Sequence, residues 1–424
     1  MQMTMAEQKI STQCCIAGGG PAGMMLGYLL ARAGVRVVVL EKHGDFLRDF
    51  RGDTVHPSTL EVMYELGLLE EFLQRPHQEV RELSGIVNGE EVKIATLAEL
   101  PTRCKFIALM PQWDFLDFLA EKAKKFPEFT QRMEAKAAGL LEKDGRVSGV
   151  RAETKDGVVE VEADLVVAAD GRGSEMRKAA GLEVMDFGVP IDVVWMRVSR
   201  RESDPEATGG RFAAGHILVT INRGDYWQCA FVVPKGGIEE VRAAGLAAFQ
   251  EQIAKIAPFL RDRVGELDSW EKIKLLTVAV NRLRQWAKPG LLCIGDAAHA
   301  MSPVGGVGIN LAIQDAVAAA NLLFEPLRNG VPTLEELGQV QKRREWPTKM
   351  TQRVQVFLHK NILSRALEAR AKAEGEERRG APVLLKIARH VKFLRRIPAR
   401  VFAQGLRPEH VAAGIVQASG PQKA

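Results

Sequence analysis

The chain has 424 residues, 46% of them apolar, and 58 basic against 53 acidic side chains give a formal charge of +5. That is enough apolar material for two or three packed domains, which excludes a disordered or fibrous chain; the mild charge argues neither for nor against a polyanionic partner, and no nucleic-acid partner is expected. No basic, apolar leader and no run of about 20 apolar residues is present, and the five cysteines (14, 15, 104, 229, 293) lack metal-ligand spacing, so buried free thiols, no metal and a cytoplasmic setting are expected.

The apolar run Cys14-Cys15-Ile16-Ala17 predicts a strand that stops at a glycine turn. A helix then runs from Pro21 to Ala33, and a second apolar run from Val35 to Leu40 predicts the next strand. Within this unit Gly18-x-Gly20-x-x-Gly23 supplies one glycine for the tight turn, one for close approach to a pyrophosphate and one where helix meets strand. The helix N-terminus turns its free N–H groups and positive dipole end toward the phosphates. Glu41 ends the second strand, where a carboxylate accepts from ribose hydroxyls, and Gly34 suits a left-handed C-terminal cap. These residues predict a dinucleotide site and leave NAD(P) or FAD open.

Further along, Pro57 starts an amphipathic helix behind a loop with Arg48 and Arg51; Arg51, immediately before Gly52, is the one expected at a ligand phosphate or cofactor. Gln112 stands at a strand-to-helix corner, as a ligand-facing amide or a surface cap. A hairpin-like alternation follows, with turns at Lys143-Asp144-Gly145 and Lys155-Asp156-Gly157, and then a buried strand ending in Asp170-Gly171. Strands at Ile191–Val198, Arg211–Thr220, Tyr226–Pro234 and Lys272–Arg282, with one helix over Ile238–Ile256, predict an inserted sheet carrying Trp195, Tyr226, Trp227 and Phe231, a pocket lining or a core. A second buried strand, Gly290 to Ile294, ends in Gly295-Asp296, and Ser302-Pro303-Val304-Gly305-Gly306-Val307-Gly308-Ile309-Asn310 opens another helix, whose positive end can stabilise negative charge. His299 reads as structural, with no orienting partner identified. The basic C-terminal stretch places Val383, Leu384, Ile387, Ala388, Val391 and Leu394 on one face of a helix that packs on the parent domain or, in the minority reading, touches a membrane surface or a second copy.

The joint pattern of GxGxxG with Glu41, strand-ending Asp170-Gly171, and Gly295-Asp296 followed by PxGGxGxN resembles the class A flavoprotein monooxygenases, the family of para-hydroxybenzoate hydroxylase, over about residues 12 to 345. The resemblance implies an α/β fold with an FAD-binding Rossmann-like domain of the glutathione-reductase type (1–79, 107–183 and 284–345), an inserted mixed-sheet substrate domain (80–106 and 184–283) and C-terminal helices (346–424). It places Gly18, Gly20, Ala22 and Gly23 under the FAD pyrophosphate and Glu41 and Lys42 at the adenosine ribose. Arg51 and Gln112 match positions that touch FAD, Ala137 bounds the adenine, and Asp170 serves FAD and the nicotinamide donor. Gly295 and Asp296 reach a ribityl or ribose hydroxyl, Pro303 lies beside the reacting edge of the isoalloxazine, and Gly306, Val307, Gly308, Ile309 and Asn310 face its pyrimidine end.

By the same resemblance NADPH or NADH reduces the FAD, the reduced flavin adds O2 at C4a, and the distal oxygen hydroxylates an aromatic or polyketide-like small molecule. Pro303 is the one catalytic-position residue, and no acid or base is assigned. A monomer or homodimer is expected. A flavin-dependent halogenase is the first alternative, set back because its Gly-Trp-x-Trp-x-Ile-Pro segment is matched only by Gly224-Asp225-Tyr226-Trp227-Gln228-Cys229-Ala230-Phe231. An isoprenoid- or quinone-acting FAD oxidoreductase is the second, and a non-enzymatic escort-type binding protein, opposed by the intact Asp170-Gly171 and Gly295-Asp296, is the most remote.

Overall fold

The computed structural model describes residues 8–47, 54–87, 90–206, 208–213, 216–363 and 399–418. Arg48, Arg51 and the stretch 382–397 lie outside the described residues.

Strand β1 (Gln8–Ala17), helix α1 (Pro21–Arg32) and strand β2 (Val37–Leu40) succeed one another as the apolar pattern predicts. Cys14 to Ala17 and Val37 to Leu40 are all buried, the signature of parallel strands covered on both faces. Gly34 ends the helix at φ +78°, where a side chain would be strained. Helices α2 (Pro57–Glu65) and α3 (Gln112–Ala123) follow, then β3 (Phe129–Arg132) and β4 (Gly157–Ala168). Between β3 and β4 the strands Lys136–Lys143 and Arg146–Thr154 form an antiparallel hairpin. Asp144 and Gly145 take φ of +52° and +75° at its tip, the primed turn that matches strand twist.

The chain then builds a second sheet around β5 (Ile191–Ser199), β6 (His216–Asn222) and β7 (Tyr226–Pro234), closed on one face by α4 (Leu246–Ile256). The order of its seven strands is Lys274–Leu276, β5, β7, β6, Gly209–Ala213, Glu82–Val87, Glu90–Thr96. The strands Glu82–Val87 and Glu90–Thr96 are therefore joined in one sheet with those that follow Ile191. Strand periodicity sorts its side chains: Val194, Met196, Trp227, Cys229 and Phe231 pack toward α4, whereas Val193, Trp195, Ala230, Val232 and Ile217 belong to clusters on the other face. Val304 packs into that second face. Trp227 and Phe231 are thus core residues, and only Trp195 and Tyr226 remain on the side where a pocket can form.

The first sheet is completed by β8 (Leu291–Cys293), which gives the parallel order β8-β4-β1-β2-β3. Two long helices, α5 (Gly308–Asn329) and α6 (Leu334–Leu358), follow. A Thr333–Glu336 capping box starts α6, which runs unbroken through the expected boundary at residue 346.

Three expected elements are divided. The strand over Arg211–Thr220 becomes two antiparallel strands, Gly209–Ala213 and β6. The helix over Ile238–Ile256 breaks at Gly245, whose φ of +91° is left-handed, into Ile238–Ala244 and α4. The strand over Lys272–Arg282 splits because Val278 donates its N–H to the Asp192 carboxylate, at 2.9 Å, instead of to a ladder. Lys274–Leu276 stays in the second sheet, and Asn281–Leu283 pairs with Val184–Asp186 and His299–Ala300.

Candidate functional site

Parallel strands leave their carboxyl ends on one edge, and three of them end here in glycine-containing turns that meet. After β1, Gly18 takes φ +108° and approaches Ala169 at the end of β4 so closely that a Cβ would stand 2.4 Å from the Ala169 carbonyl oxygen. After β8, Gly295 takes φ +57°, and its Cβ would lie 3.1 Å from the Ala22 side chain. Gly23 presses on the same turn, with a Cβ 1.9 Å from the Gly18 oxygen. Gly20, by contrast, would meet no protein atom within 4 Å, and neither would Gly171 or Gly308. The tight glycines close the turns, whereas Gly20 at the N-cap of α1, Gly308 at the first residue of α5 and Gly171 after β4 present backbone that no protein atom covers.

Glu41 is buried at the end of β2. Its Oε2 accepts the Gly19 N–H at 3.0 Å and its Oε1 the His43 N–H at 3.1 Å, so the carboxylate braces the glycine turn. Lys42 beside it is exposed. Ala137 is half-buried on the hairpin two residues past Ala135, whose N–H bonds the Glu41 carbonyl at 2.8 Å. Gln112 is half-buried at the first turn of α3, which packs on α1.

Asp170 uses one carboxylate oxygen to accept the Met176 N–H at 3.2 Å, and its Oδ1 is buried without a hydrogen-bond partner. Asp296 is about one-third exposed and accepts from Arg172 Nε at 3.3 Å. Arg177, missed in the sequence reading, joins the two acidic turns: its guanidinium donates to the carbonyls of Arg172 and, at 3.2 Å, of Ala297. Nothing in its spacing signals this, because the contact spans 120 residues.

The glycine loop before α5 is held from residues 54–59, the strand before α2 and the first turn of that helix. Thr54 Oγ1 donates to the Gly306 carbonyl at 2.8 Å, and His56 Nε2 donates to the same oxygen at 3.0 Å, since a carbonyl can only accept. Burial pushes His56 down to about 4, against a smaller opposing pull from the carbonyls of Phe402, Gly306 and Ala403, so the ring is neutral. Asn310 Oδ1 accepts from Ser58 Oγ at 2.9 Å and Thr59 Oγ1 at 2.8 Å. Val307 and Ile309 are buried beneath the loop, and Pro303 is half-buried at its start.

His299 has the orienting partner that the sequence did not reveal. Its Nε2 meets Asp315 Oδ2 at 2.6 Å, and the same oxygen accepts the Gly295 N–H at 3.0 Å. Arg344 Nε closes on Asp315 Oδ1 at 3.0 Å and its Nη1 on Glu409 at 3.2 Å. Burial works to raise the Asp315 pKa, but His299 and Arg344 outweigh it and hold the carboxyl below the ordinary range. Among the described residues no group of His, Cys, Asp and Glu is arranged to hold a metal, and the five cysteines are free and buried. Burial raises Cys15 and Cys229 to about 12, which leaves them as unreactive thiols.

The family model described as "FAD binding domain" matches residues 11–354. A 6-methylpretetramide 4-monooxygenase of Streptomyces rimosus is 35% identical over 362 residues, 83% of this chain and 85% of that protein. A rifampicin monooxygenase of Streptomyces venezuelae is 30% identical over 71% of this chain, which spans 61% of that longer relative. Among solved structures, OxyS anhydrotetracycline hydroxylase from Streptomyces rimosus superposes with a TM-score of 0.71 at 22% identity, over 94% of this chain and 77% of that one, a likeness of fold.

Proposed function

The chain belongs to the FAD binding domain family of flavin-dependent monooxygenases, and on that premise we propose that it hydroxylates an aromatic or polyketide-like small molecule with NADPH or NADH as reductant and O2 as oxygen source. The observation that carries the reading is the meeting of glycine turns after β1, β4 and β8 at the carboxyl edge of the parallel sheet, with the backbone at Gly20, Gly171 and Gly308 uncovered by any protein atom. The residues fit the cofactor: the open glycines leave backbone that no side chain covers, the unpartnered Asp170 Oδ1 is left over for an outside donor, and Asp296 is exposed enough to accept another hydrogen bond.

Bound FAD would supply hydride acceptance and oxygen activation, chemistry no side chain offers. The backbone around Gly18, Gly20, Ala22 and Gly23 would carry the pyrophosphate at the N-terminus of α1, with Glu41 and Lys42 toward the ribose and Ala137 toward the adenine. Gln112, Asp170, Gly295 and Asp296 would hold the middle of the cofactor. The N-terminus of α5, from Gly306 through Val307, Gly308 and Ile309 to Asn310, would turn donors and a positive dipole end toward charge gathering on the ring. Pro303 and Val304 would stand between that ring and the sheet face bearing Val193, Trp195, Ala230 and Val232, an apolar wall that keeps water from the reacting edge.

The purified protein should be yellow. Under anaerobic conditions NADPH or NADH should bleach it slowly alone and faster with one member of a panel of phenols, quinolones and polycyclic polyketides, and readmitted O2 should yield product one oxygen heavier. A flavin that neither nucleotide bleaches would point instead to an external reductase and overturn the reading. Asp296→Ala should weaken FAD retention about tenfold, the cost of one charge-assisted hydrogen bond, and unchanged affinity would remove Asp296 from the cofactor set.

A further inference from the structure

Ser302, Pro303 and Val304 belong to no helix or strand, so every polar group of their backbone needs a partner from elsewhere. Pro303 brings no N–H, and its carbonyl accepts from Gly306 N at 3.0 Å. The Val304 N–H donates to Ser302 Oγ at 3.2 Å. The remaining three groups are all met by one side chain. Gln355 Oε1 accepts the Ser302 N–H at 3.1 Å, while Nε2 donates to the Ser302 carbonyl at 3.0 Å and to the Val304 carbonyl at 2.9 Å. Both amide hydrogens and the amide oxygen are used, and Gln355 is fully buried.

Its neighbours on α6 extend the clamp. One turn earlier, Gln352 Nε2 donates to the carbonyls of Asn281 at 2.7 Å and Ala300 at 3.1 Å, and Arg282 donates to Gln352 Oε1 at 2.7 Å. One turn later, His359 Nε2 meets Ser302 Oγ at 2.7 Å. Residues 300 to 304 are thus fixed by a row of side chains at i, i+3 and i+7 on one helix face. Val304, at the far end of the clamped segment, packs against Ile217, Val232 and Ile191 of the second sheet. The segment touches the glycine loop on one side and the substrate-facing sheet on the other.

We propose that Gln355 is a positioning residue for oxygen transfer: it sets where Pro303 and Val304 stand between flavin and substrate, and so determines whether reducing equivalents end in product or in peroxide. The inference rests on the monooxygenase reading. With the segment displaced, the two electrons that bound FAD would supply would pass to O2 as H2O2 and not into product. Gln355 bonds only Ser302 and Val304, so its removal should disturb the segment beside the ring and spare the glycine turns at the pyrophosphate.

The test uses the FAD-loaded full chain. Gln355→Met should retain FAD within about twofold, yet release at least threefold more H2O2 per NAD(P)H consumed than the wild type. Gln355→Glu reads the same geometry through pH: as a carboxylate it faces two carbonyls and fails, whereas protonated it regains one donor and one acceptor. Its coupling should improve from pH 8 to pH 6 relative to the wild type. Wild-type coupling in Gln355→Met, or the wild-type pH profile in Gln355→Glu, overturns the proposal, and if only Gln355→Glu folds, its profile alone decides. If the wild type makes no oxygenated product, the functional reading fails separately. The dithionite-reduced holoenzyme can then be reoxidised in air without substrate or nicotinamide: a rate changed at least threefold in either variant supports the positioning role, and an unchanged rate ends it.

Discussion

Gly20 and Gly23 stand three residues apart, and an added methyl group acts on them in opposite ways. At Gly23 the Cβ would lie 1.9 Å from the Gly18 oxygen, so Gly23→Ala must push α1 off the turn, a loss of about 3 kcal/mol or more on the scale of core overpacking. At Gly20 the backbone sits at φ −74°, open to any residue, and the Cβ would meet no protein atom within 4 Å. Gly20→Ala should therefore leave the apo-protein's denaturation midpoint nearly unchanged while raising the Kd for FAD about tenfold or more, because the space it fills is the cofactor's. Isothermal titration of both variants beside urea unfolding separates the two roles. If Gly20→Ala binds FAD as the wild type does, the open space at Gly20 belongs to something else.

At the scale of one element, α6 shows how far polar residues can mislead a reading of the sequence. Gln352, Gln355 and His359 look like the solvated side of a helix, yet all three are buried, as is Arg344 two turns earlier. Their partners lie far off along the chain, 53 residues for Gln355 and Ser302, 29 for Arg344 and Asp315, so no local spacing announces them. The Thr54 to Gly306 bond spans 252 residues and was equally invisible. The glycine turns and their acids were legible because strand, turn, helix and acid fall within a few tens of residues and each has its own local cause. The joins between those turns, through Arg177, Asp315 and α6, were not. Arg344 bridges two buried carboxylates, and Arg344→Met should destabilise the protein by about 3 kcal/mol, since Asp315 would be left to His299 and Glu409 to the more exposed Arg343. Glu183→Gln, which breaks an Arg284 pair about two-thirds exposed on both sides, should cost less than about 1 kcal/mol. Comparable midpoints for the two variants in guanidinium unfolding would mean that the buried network carries no such weight.

Across the whole molecule, the cofactor-side loops are pinned at two places by neutral, buried histidines, and that couples the fold to pH. Burial lowers His56 to about 4 against Gly306, and burial likewise lowers His359 to about 4 beside Ser302. In the unfolded chain each regains an ordinary value near 6.5 and takes up a proton earlier than the folded chain does. Below that value the unfolded state binds more protons, so the stabilisation is complete above about pH 6.5 and is lost progressively as pH falls toward 4. For fully buried His56 the shift corresponds to about 3 kcal/mol over that window, at about 1.4 kcal/mol per pKa unit. Asp315, held low by His299 and Arg344, adds a loss of the same sign in more acid solution. Because His56 holds the glycine loop that opens α5, local opening of that loop, in which the ring regains its ordinary proton affinity, should release FAD in the first part of the acid transition rather than after global unfolding. Flavin fluorescence, quenched while bound, and far-ultraviolet circular dichroism followed together from pH 7.5 to 4 should therefore separate, with flavin release at the higher pH. His56→Gln keeps an N–H donor for the Gly306 carbonyl but cannot take up a proton, so its stability should be flatter between pH 6.5 and 4. A His56→Gln profile parallel to the wild type would place the acid sensitivity elsewhere.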